Sequence, residues 1–167
     1  MRWLIAMLAL TVLAVTGCGT ERSPAGERPD PIGTGPTADY AFTATTLSGE
    51  TFDGQTLQGK PAVLWFWAPW CPTCRAQIGA VSALAEQYEG KVAVVGVGGL
   101  DSPEAIKDLA AEIQNVTHLV DADGTVWQHF GVTKQSSYRV IDAEGKILAE
   151  GYLDNDELIT LVEQIAG

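Results

Sequence analysis

Cysteine, histidine and basic residues are all scarce in this chain of 167 residues. Three cysteines cannot build the multi-bridge framework that staples small secreted folds. Two histidines leave little from which to assemble a metal centre. Lys and Arg number ten against 21 Asp and Glu, a formal net charge of −11. A surface of that sign repels nucleic acid and anionic headgroups, so neither a nucleic-acid binder nor a basic membrane patch is expected. Long apolar runs are missing too. The N-terminal one, Trp3 to Val15, is about a dozen residues, where a bilayer span needs about 20. No internal repeat is present.

That short run has another reading. Met1-Arg2 supplies a positive start, Trp3 to Val15 the apolar stretch, and Val15-Thr16-Gly17-Cys18 resembles a bacterial lipobox. In a lipobox, small residues precede a cysteine that is lipidated and becomes the new N-terminus. Residues 1–17 are therefore expected to be a lipoprotein signal peptide, with Cys18 the lipidated residue. Its removal leaves nine basic and 21 acidic residues, a formal charge of −12. Membrane attachment would then come from acyl chains. Residues 18–38, rich in Gly, Pro and Thr and without an apolar period, read as a flexible tether. Residues 39–167 remain as one domain with one core.

The chemistry concentrates in Cys71-Pro72-Thr73-Cys74, behind the run Trp65-Phe66-Trp67-Ala68-Pro69-Trp70 and ahead of a helical pattern. A CxxC directly after an apolar strand places its first thiol at a helix N-terminus. There the half-positive end of the macrodipole and free backbone N–H groups stabilise a thiolate. The thiolate is the attacking species in disulfide exchange, and the second cysteine, one turn on, can reach back to release a mixed disulfide. Competing readings are weaker. A loop this short restricts the unfolded chain little, so a structural staple is disfavoured. A zinc site would need further ligands from Cys18, His118, His129 or carboxylates, and no second CxxC or close His pair exists.

Periodicity supplies the framework. Phe42 to Leu47 and Thr51-Phe52, around Ser48-Gly49-Glu50, predict a small hairpin. Pro61 to Ala68 reads as a strand buried on both faces, and Pro72 to Tyr88 as a helix ended by Gly90. Lys91 to Gly98 is a second buried strand. Ser102-Pro103 opens a helix to about Ile113. A strand near Thr117–Asp121 and a short helix near Thr125–Phe130 follow. Tyr138 to Asp142 and Lys146 to Gly151 form a hairpin, and Asp154 with Glu157 makes a capping box for a last helix. This order argues for an α/β fold: a mixed sheet with helices on both faces.

The segment Gly59 to Cys74 resembles the extracytoplasmic thioredoxin-fold proteins of the TlpA/DsbE type, most closely the lipid-anchored DsbE/DsbF-like proteins of actinobacteria. The resemblance covers about Ala38 to Gly167 and implies a thioredoxin-like fold with an added N-terminal hairpin. It implies that Cys71, nearer solvent, exchanges with substrate and that Cys74, more buried, resolves the mixed disulfide. Trp70, Pro72, Thr73, Gln135 and Ser136 would line the site, and no cofactor is implied. For Trp65 and Trp67 core packing is expected. Two departures stand out. A buried acid common in thioredoxins is replaced by Trp65. The family's Gly-Val-x-x-x-Pro pattern keeps Gly131-Val132 and the later Asp142, but Ser136 stands where the proline, cis and facing the CxxC, is found. A cis bond before a non-proline residue costs about 2.5–4 kcal/mol, against about 0.5–1 before proline. The Gln135–Ser136 bond is therefore expected to be trans, and the Ser136 hydroxyl to hydrogen-bond a Cys71 thiolate.

His118 reads as structural and His129 as solvated or capping. Asn115-Val116-Thr117 fits a glycosylation acceptor by chance, and Asp121-Ala122-Asp123-Gly124 reads as a turn, since it lacks the other ligands of a calcium loop. Three functions compete. A membrane-tethered oxidase would donate its disulfide to exported proteins and be reoxidised by a VKOR/DsbB-like membrane partner. A reductase of the cytochrome c maturation type would run the exchange backwards with a CcdA-like partner. A dithiol copper carrier is the third. The closest resemblance and the missing acid favour oxidation, in a monomer. A peroxidase lacks support, because no single threonine-supported cysteine is present.

Overall fold

A computed structural model describes residues 35–167. The predicted signal peptide, Cys18 and the tether as far as residue 34 lie outside the described residues. The hairpin comes first: β1 (Thr43–Thr46) pairs antiparallel with β2 (Thr51–Asp53), and a 3-10 turn at Gly54–Leu57 follows. All six residues of β3 (Ala62–Trp67) are buried, as a strand covered on both faces requires. Then come α1 (Pro72–Gln87), β4 (Ala93–Gly99), α2 (Pro103–Ala110), β5 (Thr117–Asp121) and α3 (Thr125–His129). The chain closes with β6 (Ser137–Ile141), β7 (Ile147–Gly151) and α4 (Asn155–Ala166).

The seven strands lie in the order β2-β1-β5-β4-β3-β6-β7. Strands β3, β4 and β5 run parallel, while β6 pairs antiparallel with both β3 and β7. The crossovers through α1 and α2 step the same way along the sheet, so right-handedness puts both helices on one face. Beneath α1, α2 and α4 lie Trp65, Trp67, Ile106, Leu158 and Val162; Leu64, Phe66, Val97, Leu119 and Trp127 fill the face toward α3. This is the expected mixed sheet with helices on both faces. Among the described residues no helix is long and apolar enough to cross a membrane.

Glycine in β4 makes room for indole. A Cβ at Gly98 would come within 2.5 Å of Ile106 and 2.8 Å of Trp67. At Gly96 it would meet His118 Nδ1 at 2.7 Å and Trp67 Nε1 at 3.0 Å. Two boundaries differ from the sequence reading. Helix α2 ends at Ala110, because Glu112 and Ile113 donate to the carbonyls of Leu109 and Ala110 in tighter, 3-10-type turns. The fold also begins before Asp39. Ile147 N–H donates to the Pro36 carbonyl at 2.9 Å, and Ala38 N–H to Gly145 at 2.8 Å, around a bridge between Thr37 and Lys146. Backbone pairing of this kind needs no apolar period, so composition alone read these residues as tether.

Candidate active site

Strand β3 delivers the chain to the mouth of the site through Ala68-Pro69-Trp70, and Cys71 caps α1 with Pro72 at its first position. Proline fits there because its missing N–H would have had no helical partner. The Cys74 amide donates to Cys71 Sγ at 3.2 Å. Both cysteines are free thiols. Cys74 is 0% exposed and Cys71 4%, so the second sulfur is sealed and the first sits nearer the surface. Burial, with the hydrogen bond to Cys71, pushes the Cys74 thiol up to about 12; the Ala68 backbone and the Ser136 hydroxyl draw it weakly back.

Trp70 projects beside Cys71, 54% exposed, with its Nε1–H donating to the Leu100 carbonyl at 3.1 Å. Arg75 Nε fastens the same loop by donating to the Pro69 carbonyl at 2.9 Å. On the other side an open groove of about 610 Å³ runs past Thr73, Gln135, Ser136, Arg139, Glu150 and Tyr152. The structure thus gathers Cys71, Cys74, Trp70, Thr73, Gln135 and Ser136 at one end of the sheet. Pro72 stays exposed on the first turn of α1.

One expectation about Ser136 is corrected. The Gln135–Ser136 peptide bond is cis, not trans. The sequence argument weighed only the intrinsic preference of an isolated bond, whereas here the Ser136 and Ser137 side chains are both held. Ser137 Oγ donates to the Lys134 carbonyl at 2.7 Å, and Trp65 Nε1–H donates to Ser136 Oγ at 2.7 Å. The Ser136 hydroxyl lies close enough to the Cys74 sulfur and the Tyr138 hydroxyl to act on both.

Three contributors escaped the sequence reading. Trp65 packs in the core as expected, 0% exposed, yet its N–H also holds Ser136. Tyr138, paired with Trp65 across the strands, stacks on that indole at 6.5 Å between ring centroids. Its hydroxyl makes no hydrogen bond of good geometry; burial holds its pKa well above the ordinary phenol value, and the nearby Ser136 hydroxyl draws it back. Arg139 lies buried at the groove wall, donating to the carbonyls of Phe130 (2.8 Å) and Tyr138 (3.0 Å), 3.5 Å from the Glu150 carboxylate. A lone arginine in the apolar strand Tyr138-Arg139-Val140-Ile141 was the available signal.

His118, His129 and Asp121 sit in structural places. His118 is buried, edge-on to Trp67, and burial lowers it to about 4. His129 is hydrogen-bonded to the Asp39 carbonyl at 2.7 Å. Asp121 accepts from the amides of Val126 (3.1 Å) and Trp127 (2.9 Å), capping α3. Among the described residues no group of three or more His, Cys, Asp and Glu side chains is placed to hold a metal ion.

A thiol capping a helix after a buried strand, a sealed second thiol one turn on and a facing cis loop define a thioredoxin-like protein with a dithiol site. The chain belongs to the AhpC/TSA family, whose model matches residues 37–150. It is similar to the soluble secreted antigen MPT53 of Mycobacterium tuberculosis, 44% identical over 105 residues, or 62% of this chain and 60% of that protein. It therefore spans about three-fifths of that relative's length. Similarity to the thiol:disulfide interchange protein DsbE of Pseudomonas aeruginosa is 34% over 93 residues, 54% of this chain and 50% of that one. Among solved structures it resembles MTB dsbF, in mixed oxidized and reduced forms, with TM-score 0.71 and 42% identity over 75% of this chain and 96% of that one. A secreted M. tuberculosis disulfide oxidoreductase homologous to E. coli DsbE follows at TM-score 0.69 and 38% identity, with the same coverage. The expected kinship with DsbE/DsbF-like proteins is thereby borne out.

Proposed function

We propose that this chain is an extracytoplasmic thiol–disulfide oxidoreductase that donates the Cys71–Cys74 disulfide to exported proteins, as a monomer held at the membrane by acyl chains on Cys18. Residues 1–17 serve as its signal peptide. The observation that carries the reading is the inequality of the two thiols: Cys71 capping the N-terminal end of α1 and slightly exposed, Cys74 sealed and pushed up to about 12. A substrate thiolate attacks Cys71 Sγ, the sulfur–sulfur bond breaks, and its electron pair passes to Cys74. A second substrate thiolate then attacks the substrate sulfur of the mixed disulfide and expels Cys71. The substrate leaves with one disulfide, and the protein keeps two electrons as a dithiol. A membrane partner of the VKOR/DsbB-like type takes those electrons and restores the disulfide.

The absence of a carboxylate at Trp65 and the likeness to the M. tuberculosis proteins support oxidation over reduction. The reduction potential of the Cys71–Cys74 couple in glutathione buffers tests the direction. A value nearer about −120 mV fits a donor of disulfides; one at or below about −270 mV reverses the assignment to a reductase fed by a CcdA-like partner. Cys71→Ser is expected to abolish exchange, whereas Cys74→Ser should accumulate substrate covalently linked at Cys71. Exchange surviving in Cys71→Ser would remove the dithiol reading altogether.

A further inference from the structure

Opening a disulfide at Cys71 makes Cys74 the leaving group, and the protein must receive a negative sulfur in its interior. A buried thiolate without hydrogen-bond donors is costly, because a charge removed from water needs compensation. The neighbours of Cys74 show where compensation comes from. Trp65 Nε1–H can only donate, so at 2.7 Å from Ser136 Oγ it fixes that oxygen as the acceptor. The single proton of the serine hydroxyl stays free to point elsewhere. Ser136 is 3% exposed, which closes the route to solvent. Its hydroxyl lies within reach of the Cys74 sulfur and the Tyr138 hydroxyl. A neutral phenol competes weakly with a thiolate for that proton, since hydrogen bonds to ionised acceptors are about twice as strong.

We propose that Ser136, oriented by Trp65 Nε1–H, donates its hydroxyl proton in a hydrogen bond to Cys74 Sγ as that sulfur leaves the disulfide. Ser136 is thus a catalytic residue and Trp65 a positioning residue. The step balances. The attacking thiolate forms a bond to Cys71 Sγ, the Cys71–Cys74 bond breaks, and the electron pair rests on Cys74. The serine keeps its proton and shares it with the sulfur until Cys74 is protonated. Trp65, which stands where a carboxylate is common in thioredoxins, therefore acts on the second thiol through a neutral hydroxyl. The inference rests on the dithiol reading above but not on the direction of electron flow.

The experiment measures how fast a small thiol, dithiothreitol, opens the oxidised full-length protein at fixed pH, beside the rate at which iodoacetamide alkylates Cys71 in the reduced protein. Ser136→Ala should slow opening by roughly 10- to 100-fold, the range of a charge-assisted hydrogen bond, and leave Cys71 alkylation unchanged. Ser136→Thr, which keeps a hydroxyl, should recover most of the rate. Trp65→Phe keeps an aromatic ring but deletes the N–H and should slow opening several-fold. Opening of Ser136→Ala at the wild-type rate overturns the proposal. So does equal slowing in Ser136→Ala and Ser136→Thr, because packing would then be the cause. Failure of dithiothreitol to open any form would instead remove the dithiol reading itself.

Discussion

His118 and Cys74 carry their ordinary chemistry into surroundings that favour the neutral form, and burial accounts for most of both shifts. For His118 this has a consequence for stability. The unfolded chain protonates such a ring near pH 6.5, while the folded chain resists until about 4. The folded state thus keeps its full stability above about pH 6.5 and loses it as the pH falls toward 4. A shift of this size is worth up to about 3 kcal/mol. His118→Leu should flatten the denaturant midpoint between pH 6.5 and 4.5, measured against the native protein. Asp121, whose burial raises its carboxyl, titrates in both proteins and cancels in that difference. An unchanged slope would mean that the folded ring takes up its proton as readily as the unfolded one. The sequence marked His118 as structural; its titration depends on Trp67 and Gly96, which other strands bring to it.

Helix α4 and strand β4 show two ways in which an element is specified. The capping box of α4 was legible, since Asp154 and Glu157 are three residues apart and every partner is local. In the structure the Glu157 amide donates to Asp154 Oδ1 at 2.9 Å, and the Asp154 amide to Glu157 Oε2 at 3.0 Å. Asp154→Ala should cost about 1 kcal/mol, a fall in midpoint temperature of about 4 °C in a scanning calorimeter. Strand β4 is different. Its glycines look like weak points for a strand, and only the side chains lying over them explain their place: His118 and Trp67 at Gly96, Ile106 and Trp67 at Gly98, Trp127 at Gly99. Gly98→Ala should cost about 1–3 kcal/mol by overpacking Trp67 and Ile106, seen as a lower urea midpoint with altered tryptophan emission. A neutral or stabilising result would show that the indole can move aside.

For the molecule as a whole, net charge and the proposed acyl anchor each carry a testable consequence. The acidic excess of the chain, −11 in all, should draw cationic substrates and repel anionic ones. The kcat/KM for a lysine-rich dithiol peptide should exceed that for a glutamate-rich one at low salt. The difference should shrink as ionic strength passes about 0.15 M, where screening acts over about 8 Å. Equal values at low salt would localise recognition entirely to the groove. Attachment is tested separately: Cys18→Ala should move the protein from the membrane fraction to the soluble one while dithiothreitol still opens the purified disulfide at the native rate. A mutant that stays with the membrane would exclude the acyl anchor.

The strands, the helices and the CxxC at a strand–helix junction were legible along the chain, because each is written in residues that are neighbours in sequence. Apolar periodicity, Pro72 at the first position of α1 and the α4 capping box need no knowledge of the sheet. Tertiary structure decided the rest. Ser136 reaches Trp65 across 71 positions of sequence because β3 and β6 lie side by side. That adjacency sets the serine beside Cys74 and accompanies the cis bond that local preference argued against. Residues 36–38 join the fold through backbone hydrogen bonds to a hairpin more than a hundred positions away. Strand order and backbone pairing between distant segments leave no trace in local pattern, so those contacts exist only once the chain has folded.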